Sequence, residues 1–281
     1  MKFEEIKIEN FKIKNNNDIF LIAGPCVIEN KNHSIKHAKI IKEICDELSI
    51  NFVFKSSFDK ANRTNIKSYR GVGTEKGISI LNDIRSVLNI PILTDVHECY
   101  QCEMVKDVVD IIQIPAFLCR QTDLLLAAAD TGKIVNIKKG QFLAPWDMIN
   151  VVEKFKSSSK KIILTERGSS FGYNNLVVDL RGLVEMKKLG YPVVFDATHS
   201  VQKPGGLGGA SGGNREYIPY FANAAVTVGI SGIFMEVHED PNNAPSDGAN
   251  MIRLDKLKDI LVDIIKIDKL VKNNSIGNYN D

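Results

Sequence analysis

The sequence lacks the long apolar segments that a membrane-spanning helix requires. No uninterrupted apolar stretch approaches the roughly 20 residues needed to cross a bilayer, and no membrane partner is expected. Residues 1–17 alternate charged side chains with Ile and Phe, and they contain no apolar core of the kind found in a signal peptide. We therefore expect a cytoplasmic protein.

A strong excess of one charge is also missing. The 36 Lys and Arg residues nearly balance the 34 Asp and Glu residues, which gives a net charge of +2. A broad nucleic-acid-binding face needs a larger cationic excess, so no nucleic-acid partner is expected.

Cysteine is scarce, with 5 residues in 281. In a reducing compartment these are expected to be free thiols, metal ligands or core residues rather than disulfides. Cys99 and Cys102 form a CxxC pair, which can indicate a redox pair or half of a zinc site. Because no second pair accompanies it, packing is the favoured interpretation.

Eight short apolar runs rich in β-branched residues are present, with segments of helical periodicity between them. Nearly continuous Val, Ile and Phe is expected for strands that are buried on both faces of a parallel sheet. The runs span residues 19–24, 51–57, 91–96, 110–115, 133–140, 161–168, 192–200 and 231–238. An amphipathic segment at 254–271 completes the cycle as a last helix. The pattern predicts an α/β fold, a (β/α)8 TIM barrel, and a doubly wound open sheet is the alternative.

A single domain is expected, because no linker, repeat or low-complexity segment divides the chain. Residues 1–18 are predicted to be a short N-terminal extension, which could form a small hairpin over the barrel floor. Residues 19–281 are predicted to be the TIM-barrel catalytic domain.

Every predicted strand ends in polar or reactive side chains. In a barrel all eight carboxyl ends meet at one mouth, where such folds hold their active sites. The side chains at these ends include Cys26, Lys55, Ser57, Asp95, His97, Gln113, Lys138, Glu166, Arg167, Asp196, His199, Glu236 and His238. Lys60 and Arg63 follow closely behind the second run, so the mouth is expected to be cationic. Such a pocket suits the phosphate and carboxylate groups of phosphorylated small molecules.

One set of side chains at this mouth could hold a metal ion. Cys26, His199, Glu236 and Asp247 come from the first, seventh and eighth strand ends and from the loop after the eighth. These ends are adjacent in a closed barrel, where strand eight lies beside strands one and seven. A thiolate, an imidazole and two carboxylates suit a borderline divalent ion such as Zn²⁺, Fe²⁺ or Mn²⁺. A chance meeting of Cys and His at barrel neighbours is the alternative.

Several longer strings resemble one known family, that of 3-deoxy-D-manno-octulosonate 8-phosphate synthase. They are LIAGPCVIEN (21–30), FKSSFDKANRTN (54–65), IIQIPAFLCRQTDLLLAAADTGK (111–133), KKGQFLAPWDM (138–148), LTERGSSFGYNNLVVDLR (164–181) and FDATHSVQKPGG (195–206). The resemblance covers residues 20–265 in order. It implies a TIM barrel, usually a homotetramer, that condenses phosphoenolpyruvate with D-arabinose 5-phosphate and releases phosphate. The product serves lipopolysaccharide biosynthesis.

The resemblance also implies roles for individual side chains. Positions that hold phosphoenolpyruvate are matched by Lys60, Lys138 and Arg167, with Gln113 and Ala116 nearby. Positions that contact the pentose phosphate are matched by Lys55, Asn62, Arg63 and Asp95. Ser57 is a further expected substrate-binding residue, as is Thr64, which stands where the family usually has Ser. Arg120 matches an arginine that reaches the phosphate site of a neighbouring subunit. Lys60, Lys138, His199, Asp95 and Cys26 are the expected catalytic residues.

The family contains a metal-dependent and a metal-independent class. The position of Cys26 is Asn in the metal-independent enzymes, so this chain resembles the metal-dependent class. His199, Glu236 and Asp247 are the other implied ligands. The Asp-Gly pair that begins at Asp247 departs from this pattern and resembles the metal-independent class.

Three other functions are compatible with parts of the pattern. The related 3-deoxy-D-arabino-heptulosonate 7-phosphate synthase uses erythrose 4-phosphate, but its usual Lys-Pro-Arg-Thr string is here Lys60-Ala61-Asn62-Arg63. A Schiff-base aldolase would use Lys138 as the nucleophile. A non-catalytic binding protein on the same barrel is the third, and it does not account for the occupied catalytic positions.

Overall fold

The architecture is a closed barrel of parallel strands. The computed structural model describes residues 3–155, 161–206 and 211–273. The barrel strands are Phe20–Gly24, Phe52–Lys55, Ile92–Asp95, Ile111–Ile114, Ile134–Lys138, Ile162–Glu166, Val193–Asp196 and Gly232–His238. Each strand pairs with the next, and the eighth pairs with both the seventh and the first. The predicted (β/α)8 barrel is therefore confirmed, and the open-sheet alternative is excluded.

Helices cover the outside of the barrel. Within the described residues the α-helices are Lys31–Leu48, Thr74–Leu88, Cys99–Val105, Thr122–Asp130, Met148–Val152, Leu180–Lys188, Ile218–Val226 and Leu257–Asn273. The first begins at a conventional cap, because the Asn30 side chain accepts a hydrogen bond from the amide of His33 at 2.9 Å. The apolar helix faces pack against outward-facing strand residues such as Leu21 and Ala23. In the described ranges no helix has the length and apolarity that a bilayer crossing needs.

Additional short strands lie at both ends of the barrel. The strand Ile252–Arg253 extends the sheet beside the end of the eighth strand. At the mouth, Ser169–Ser170 pairs with Leu176–Val177, and Gln202–Lys203 pairs with Gly212–Gly213. At the opposite end, Ile6–Ile8 and Phe11–Ile13 form an antiparallel hairpin.

The lower half of the barrel interior is apolar. Strand side chains alternate between the two faces of the sheet, so every second residue points inward. The inward residues of the lower layer are Phe20, Ile22, Val53, Leu93, Ile111, Ile134, Ile163, Val194 and Phe234. Gly232 makes room for this layer, since a Cβ there would lie 2.5 Å from the ring of Phe20.

The N-terminal hairpin closes this layer from below. Ile6, Ile8 and Ile13 are each at most 3% exposed and belong to the same apolar cluster as the inward residues of the strands. Burial of one such side chain contributes about 1.5–3 kcal/mol. The hairpin is therefore part of the barrel core.

Element boundaries differ from the sequence predictions at several ends. The predicted run 192–200 is strand only at Val193–Asp196, and it continues as a 3-10 helix at His199–Val201. The last helix was predicted at 254–271, but it spans Leu257–Asn273 and follows a 3-10 turn at Leu254–Lys256. Residues 274–281 of the predicted catalytic domain lie outside the described residues.

Candidate active site

Polar side chains form a second inward-facing layer above the apolar one. Five of them lie two residues beyond an apolar inward residue, so each occupies the same face of its strand. The pairs are Val53 and Lys55, Leu93 and Asp95, Ile111 and Gln113, Val194 and Asp196, and Phe234 and Glu236. Lys138 and Arg167 follow Asn136 and Thr165 with the same spacing. All of these polar residues are buried, so the strand ends build a charged floor under the mouth.

A cavity opens above this floor. The predicted site residues that line it are Lys55, Lys60, Asn62, Arg63, Thr64, Asp95, Gln113, Ala116, Lys138, Arg167, His199, Glu236 and Asp247. Cys26 and Ser57 are buried directly beside the lining residues Asp247 and Asp95. Arg120 is exposed and does not line the cavity of its own chain, and the resemblance assigned it to a neighbouring subunit's site.

Lys55 connects three strands at the base of the cavity. Its Nζ donates to Glu236 Oε1 at 3.0 Å, to Ser57 Oγ at 3.1 Å and to the Cys26 carbonyl at 3.2 Å. Ser57 in turn donates to Asp95, which lies 4.0 Å from the Lys55 ammonium. A buried ammonium with three acceptors and two carboxylates nearby is fixed in position. We therefore expect Lys55 to be a rigid part of the floor.

Asp196 contacts two of the predicted catalytic residues, Lys138 and His199. Its Oδ2 accepts from Lys138 Nζ and from His199 Nδ1, the latter at 2.7 Å. Burial alone raises the pKa of Asp196, but the charges of His199 and Lys138 lower it well below its ordinary value. Burial lowers the pKa of Lys138, whose ammonium also lies 3.7 Å above the Phe234 ring. Asp196 is fully buried and ionised, so it fixes the orientation of both neighbours.

Arg167 is held by the turn that follows the sixth strand. The Glu166 carboxylate accepts the amides of Arg167 at 2.9 Å and Gly168 at 2.6 Å, which shapes the turn. The guanidinium then donates to Gln202 Oε1 at 2.8 Å. Burial lowers the pKa of Arg167, although the group remains a cation at neutral pH. Its position at the cavity wall suits an anionic ligand.

Three of the four predicted metal ligands converge at one point. Potential ligand atoms of Cys26, Glu236 and Asp247 all lie within 4.8 Å of one another. The fourth, His199, presents Nε2 at 3.6 Å from Glu236 Oε2. Because Asp196 accepts from Nδ1, a neutral His199 ring carries its proton there and leaves the Nε2 lone pair facing Glu236.

The chemistry of this set fits a divalent cation. Glu236 Oε2 is buried and has no hydrogen-bond partner among the described residues, which leaves an uncompensated acceptor at the centre of the set. Burial and the neighbouring Glu236 raise the pKa of the Cys26 thiol well above its usual range. The thiol is therefore neutral until a cation at its sulfur stabilises the thiolate. A sulfur, a nitrogen and carboxylate oxygens match a borderline metal.

Asp247 reaches the set through an unusual backbone conformation. Its φ is +49°, in the left-handed region that non-glycine residues rarely adopt. The next residue, Gly248, is packed so closely that a Cβ would lie 2.1 Å from the carbonyl oxygen of Pro241. The Asp-Gly pair thus turns the loop sharply and directs the Asp247 carboxylate to Cys26 Sγ, 3.2 Å away.

Arg63 connects the loop after the second barrel strand to the loop after the eighth. Its guanidinium donates to Ser246 Oγ at 2.7 Å and to the Pro245 carbonyl at 3.0 Å. Its Nε is buried and, within the described part of the chain, has no partner. Arg63 also lines the cavity, where its guanidinium suits an anionic group.

Comparison with known proteins identifies the family. The model of the DAHP synthetase I family matches residues 4–273. A protein of Rickettsia typhi named 2-dehydro-3-deoxyphosphooctonate aldolase is 59% identical over 268 residues, which are 95% of this chain and 98% of that protein. This chain belongs to the 2-dehydro-3-deoxyphosphooctonate aldolase branch of the DAHP synthetase I family. The octonate of that name is the 3-deoxy-octulosonate of the family recognised in the sequence, so that prediction is confirmed.

Relatives with the same name come from distant bacteria. The protein of Cyanothece sp. is 60% identical over 248 residues, which cover 88% of this chain and 91% of the relative. That of Fusobacterium nucleatum is 57% identical over 269 residues, which cover 95% of this chain and 97% of the relative. All three carry the octonate name, and the heptulosonate alternative is not better supported.

Asp196, Gln202 and Ser246 contribute to this site, but the sequence predicts no role for them. Asp196 was noticed as a strand end but received no role, although it contacts Lys138 and His199. Gln202 links Arg167 to Asp247, and Ser246 links Cys26 to Arg63. Only Asp196 carried a sequence signal, because it is the last residue of a strand. Gln202 and Ser246 lie in loops whose paths the sequence does not specify.

Proposed function

We propose that this chain condenses phosphoenolpyruvate with D-arabinose 5-phosphate and water to give 3-deoxy-D-manno-octulosonate 8-phosphate and inorganic phosphate. Family membership and the octonate name of the relatives support this reaction. The observation that carries it is the cavity itself, in which Lys60, Lys138 and Arg167 face one space above a carboxylate floor. A double-anion substrate such as phosphoenolpyruvate requires such a group of cations.

The proposal assigns the two substrates to different parts of the cavity. Lys60, Lys138 and Arg167 hold the phosphate and carboxylate of phosphoenolpyruvate, with Gln113 and Ala116 beside them. The pentose phosphate is contacted by the substrate-binding set Lys55, Ser57, Asn62, Arg63, Thr64 and Asp95. Fixing both substrates at close approach supplies much of the rate by orientation.

The bonds formed and broken place specific demands on the site. C3 of phosphoenolpyruvate attacks the aldehyde carbon while water adds to C2, and the C2–O bond to phosphate then breaks. Negative charge develops on the aldehyde oxygen, and the ammonium groups of Lys60 and Lys138, which line the cavity, are available to stabilise it. Asp196 keeps the Lys138 ammonium oriented, and the negative charges of Glu236 and Asp95 favour the protonated form of Lys60. No covalent enzyme intermediate is required.

A divalent ion, Zn²⁺, Fe²⁺ or Mn²⁺, is part of the proposal. Cys26, His199, Glu236 and Asp247 would hold it, and Asp196 would orient His199 through Nδ1. When bound, such an ion supplies Lewis acidity, which polarises an oxygen ligand and lowers the pKa of bound water.

We also propose that the protein is cytoplasmic and forms a homotetramer. Large apolar side chains are exposed on the loops that follow the fourth, fifth and sixth strands. They are Phe117 at 55%, Phe142 at 58%, Trp146 at 62% and Phe171 at 71% exposure. The fifth and sixth loops are adjacent, because Ser170 donates its amide to the Gln141 carbonyl at 2.9 Å. The fourth and fifth loops are adjacent as well, since a Cβ on Gly140 would lie 3.1 Å from the Ala116 carbonyl oxygen. A group of this kind favours burial against other subunits, which would bring Arg120 of one chain to the site of another.

The proposal is tested by measuring phosphate release from phosphoenolpyruvate with two aldoses. Turnover should require arabinose 5-phosphate, and mass spectrometry should detect an eight-carbon keto acid phosphate. Preferential turnover of erythrose 4-phosphate would establish the heptulosonate reaction instead. Covalent trapping by borohydride in the presence of substrate would indicate a Schiff base at Lys138, and absence of phosphate release with either aldose would contradict catalysis altogether.

A further inference from the structure

A second group of histidines lies outside the substrate cavity. His33 and His37 occupy successive turns of the first helix, and His238 ends the eighth strand. The ring centroid of His33 lies 4.0 Å from that of His37 and 5.0 Å from that of His238. The side chains of His33 and His238 are 10% and 8% exposed, and His37 is fully buried. Glu29 completes this group, which we call the histidine cluster.

Hydrogen bonds engage both ring nitrogens of His37 and of His238, whereas His33 Nδ1 has no partner among the described residues. His37 uses both ring nitrogens, since Nδ1 bonds to the His33 carbonyl at 2.9 Å and Nε2 accepts from the Glu239 amide at 3.2 Å. In contrast, His33 Nε2 and His238 Nε2 face each other at 3.2 Å. Glu29 Oε1 lies 2.8 Å from His238 Nε2 and 3.5 Å from His33 Nε2. Two imidazole nitrogens and one carboxylate oxygen therefore converge.

The separations of these three atoms match those around a bound metal. Zinc binds nitrogen and oxygen ligands at about 2.0–2.1 Å in tetrahedral geometry, which places the ligands about 3.3 Å apart. The observed separations of 2.8, 3.2 and 3.5 Å lie on both sides of that value. We propose that His33, His238 and Glu29 form a second binding site for a borderline divalent cation such as Zn²⁺ or Co²⁺, with water as the remaining ligand.

The surroundings of the three atoms favour this use. His33 Nδ1 is buried and has no partner in the described ranges, so it can carry the ring proton when Nε2 binds an ion, but that proton would lack an acceptor. Glu29 is 28% exposed, which leaves a path for an ion from solvent. The nearby Lys36 forms an ion pair with Glu239 rather than with Glu29.

Occupation of this site has a further structural cost and one consequence. The cost arises at His238, where Nδ1 accepts from the Asp240 amide at 2.9 Å, because ligation through Nε2 places the proton on Nδ1. The Asp240 amide must then turn away. The consequence is a cross-link between the segment after the first strand and the end of the eighth. Cys26 and Glu236 lie on these same two segments, so the ion would hold the walls of the substrate site together.

Cobalt binding to the full chain, stripped of metal by a chelator, tests this site. Wild type should bind one more equivalent of Co²⁺ than either His33→Gln or Glu29→Gln. Glu239→Gln, which changes a neighbouring carboxylate outside the three ligands, should keep the extra equivalent. The same two variants should also show a smaller rise in Tm when Zn²⁺ is added.

The spectrum separates this site from the proposed active-site metal. Cobalt bound by Cys26 produces a thiolate-to-metal charge-transfer band, whereas the histidine cluster produces only ligand-field bands. The thiolate band should persist in His33→Gln and Glu29→Gln and disappear in Cys26→Ala, which should keep the equivalent bound by the histidine cluster. Equal stoichiometry in wild type and Glu29→Gln would overturn the proposal. If His33→Gln does not fold, the partly exposed Glu29 position decides the question alone.

Discussion

Replacing Asp196 by Asn removes the charge that the site depends on while keeping the shape of the side chain. In the structure the carboxylate accepts four hydrogen bonds, from Lys138 Nζ, His199 Nδ1, the His199 amide and Thr198 Oγ1. An Asn side chain has one acceptor oxygen, and its amide group donates. The oxygen can still serve Thr198 and the His199 amide, but the amide group would face the Lys138 ammonium.

The expected loss of stability follows from burial. Asp196 is 0% exposed, so the Lys138 ammonium would be left buried beside a donor instead of an anion. Removing one partner of a buried ion pair destabilises a protein by about 3–5 kcal/mol. Because a folded domain is stable by about 5–15 kcal/mol, the variant should still fold. Activity should fall sharply as well, since both Lys138 and His199 lose the group that orients them.

Urea unfolding followed by circular dichroism, at one fixed protein concentration, measures this loss. Asp179→Asn is the matched control, because Asp179 pairs with Arg181 at the surface, where the Arg181 side chain is 89% exposed. The control should unfold at nearly the same urea concentration as wild type. A loss below about 1 kcal/mol for Asp196→Asn would refute the role of this carboxylate as the counter-charge of Lys138.

Four further outcomes are expected. Cys26→Ala should remove most activity and lower the metal content, and full activity of a chelated sample would contradict the metal role. Arg63→Ala should raise the Michaelis constant for arabinose 5-phosphate more than that for phosphoenolpyruvate, and equal effects would count against its assignment. Ile13→Ala should destabilise the barrel by about 2–5 kcal/mol in urea unfolding, because its side chain is 1% exposed, and a change near zero would exclude the hairpin from the core. Burial raises the pKa of Cys45 to about 12, so at pH 8 only about one thiol in ten thousand is ionised. Alkylation of native protein should therefore modify the exposed Cys99 and spare Cys45, and equal rates would contradict that burial.

The barrel itself could be predicted because its signal is periodic and local. Apolar runs such as the one containing Ile111 and Ile114 are buried on both faces, and only a parallel sheet covered by helices provides that environment for eight successive runs. The inward position of Lys55 follows from its spacing of two residues from Val53. The residue at which a strand ends could not be predicted, because Ala197 and Thr198 continue the composition of the seventh strand beyond its last residue, Asp196.

The parts of the site that could not be predicted depend on loop geometry. Asp247 was predicted to lie with Cys26, but the left-handed turn that brings the two together was not, because the composition of that loop does not specify such a turn. The convergence of Glu29 with His33 and His238 depends on how the first helix packs beside the end of the eighth strand. Sequence spacing relates neighbours on one strand or helix, whereas these contacts connect residues about 200 positions apart, as for His33 and His238.

The two inward-facing layers separate the demands that evolution places on each strand. Val194 and Asp196 are only two residues apart, yet one belongs to the apolar lower layer and the other to the charged floor of the cavity. Substitutions in the apolar lower layer can alter thermal stability while the reacting groups keep their positions. Substitutions that change substrate preference can accumulate in the charged upper layer while the N-terminal hairpin and the apolar lower layer continue to stabilise the fold. A barrel closed at one end in this way can diversify its chemistry without losing its scaffold.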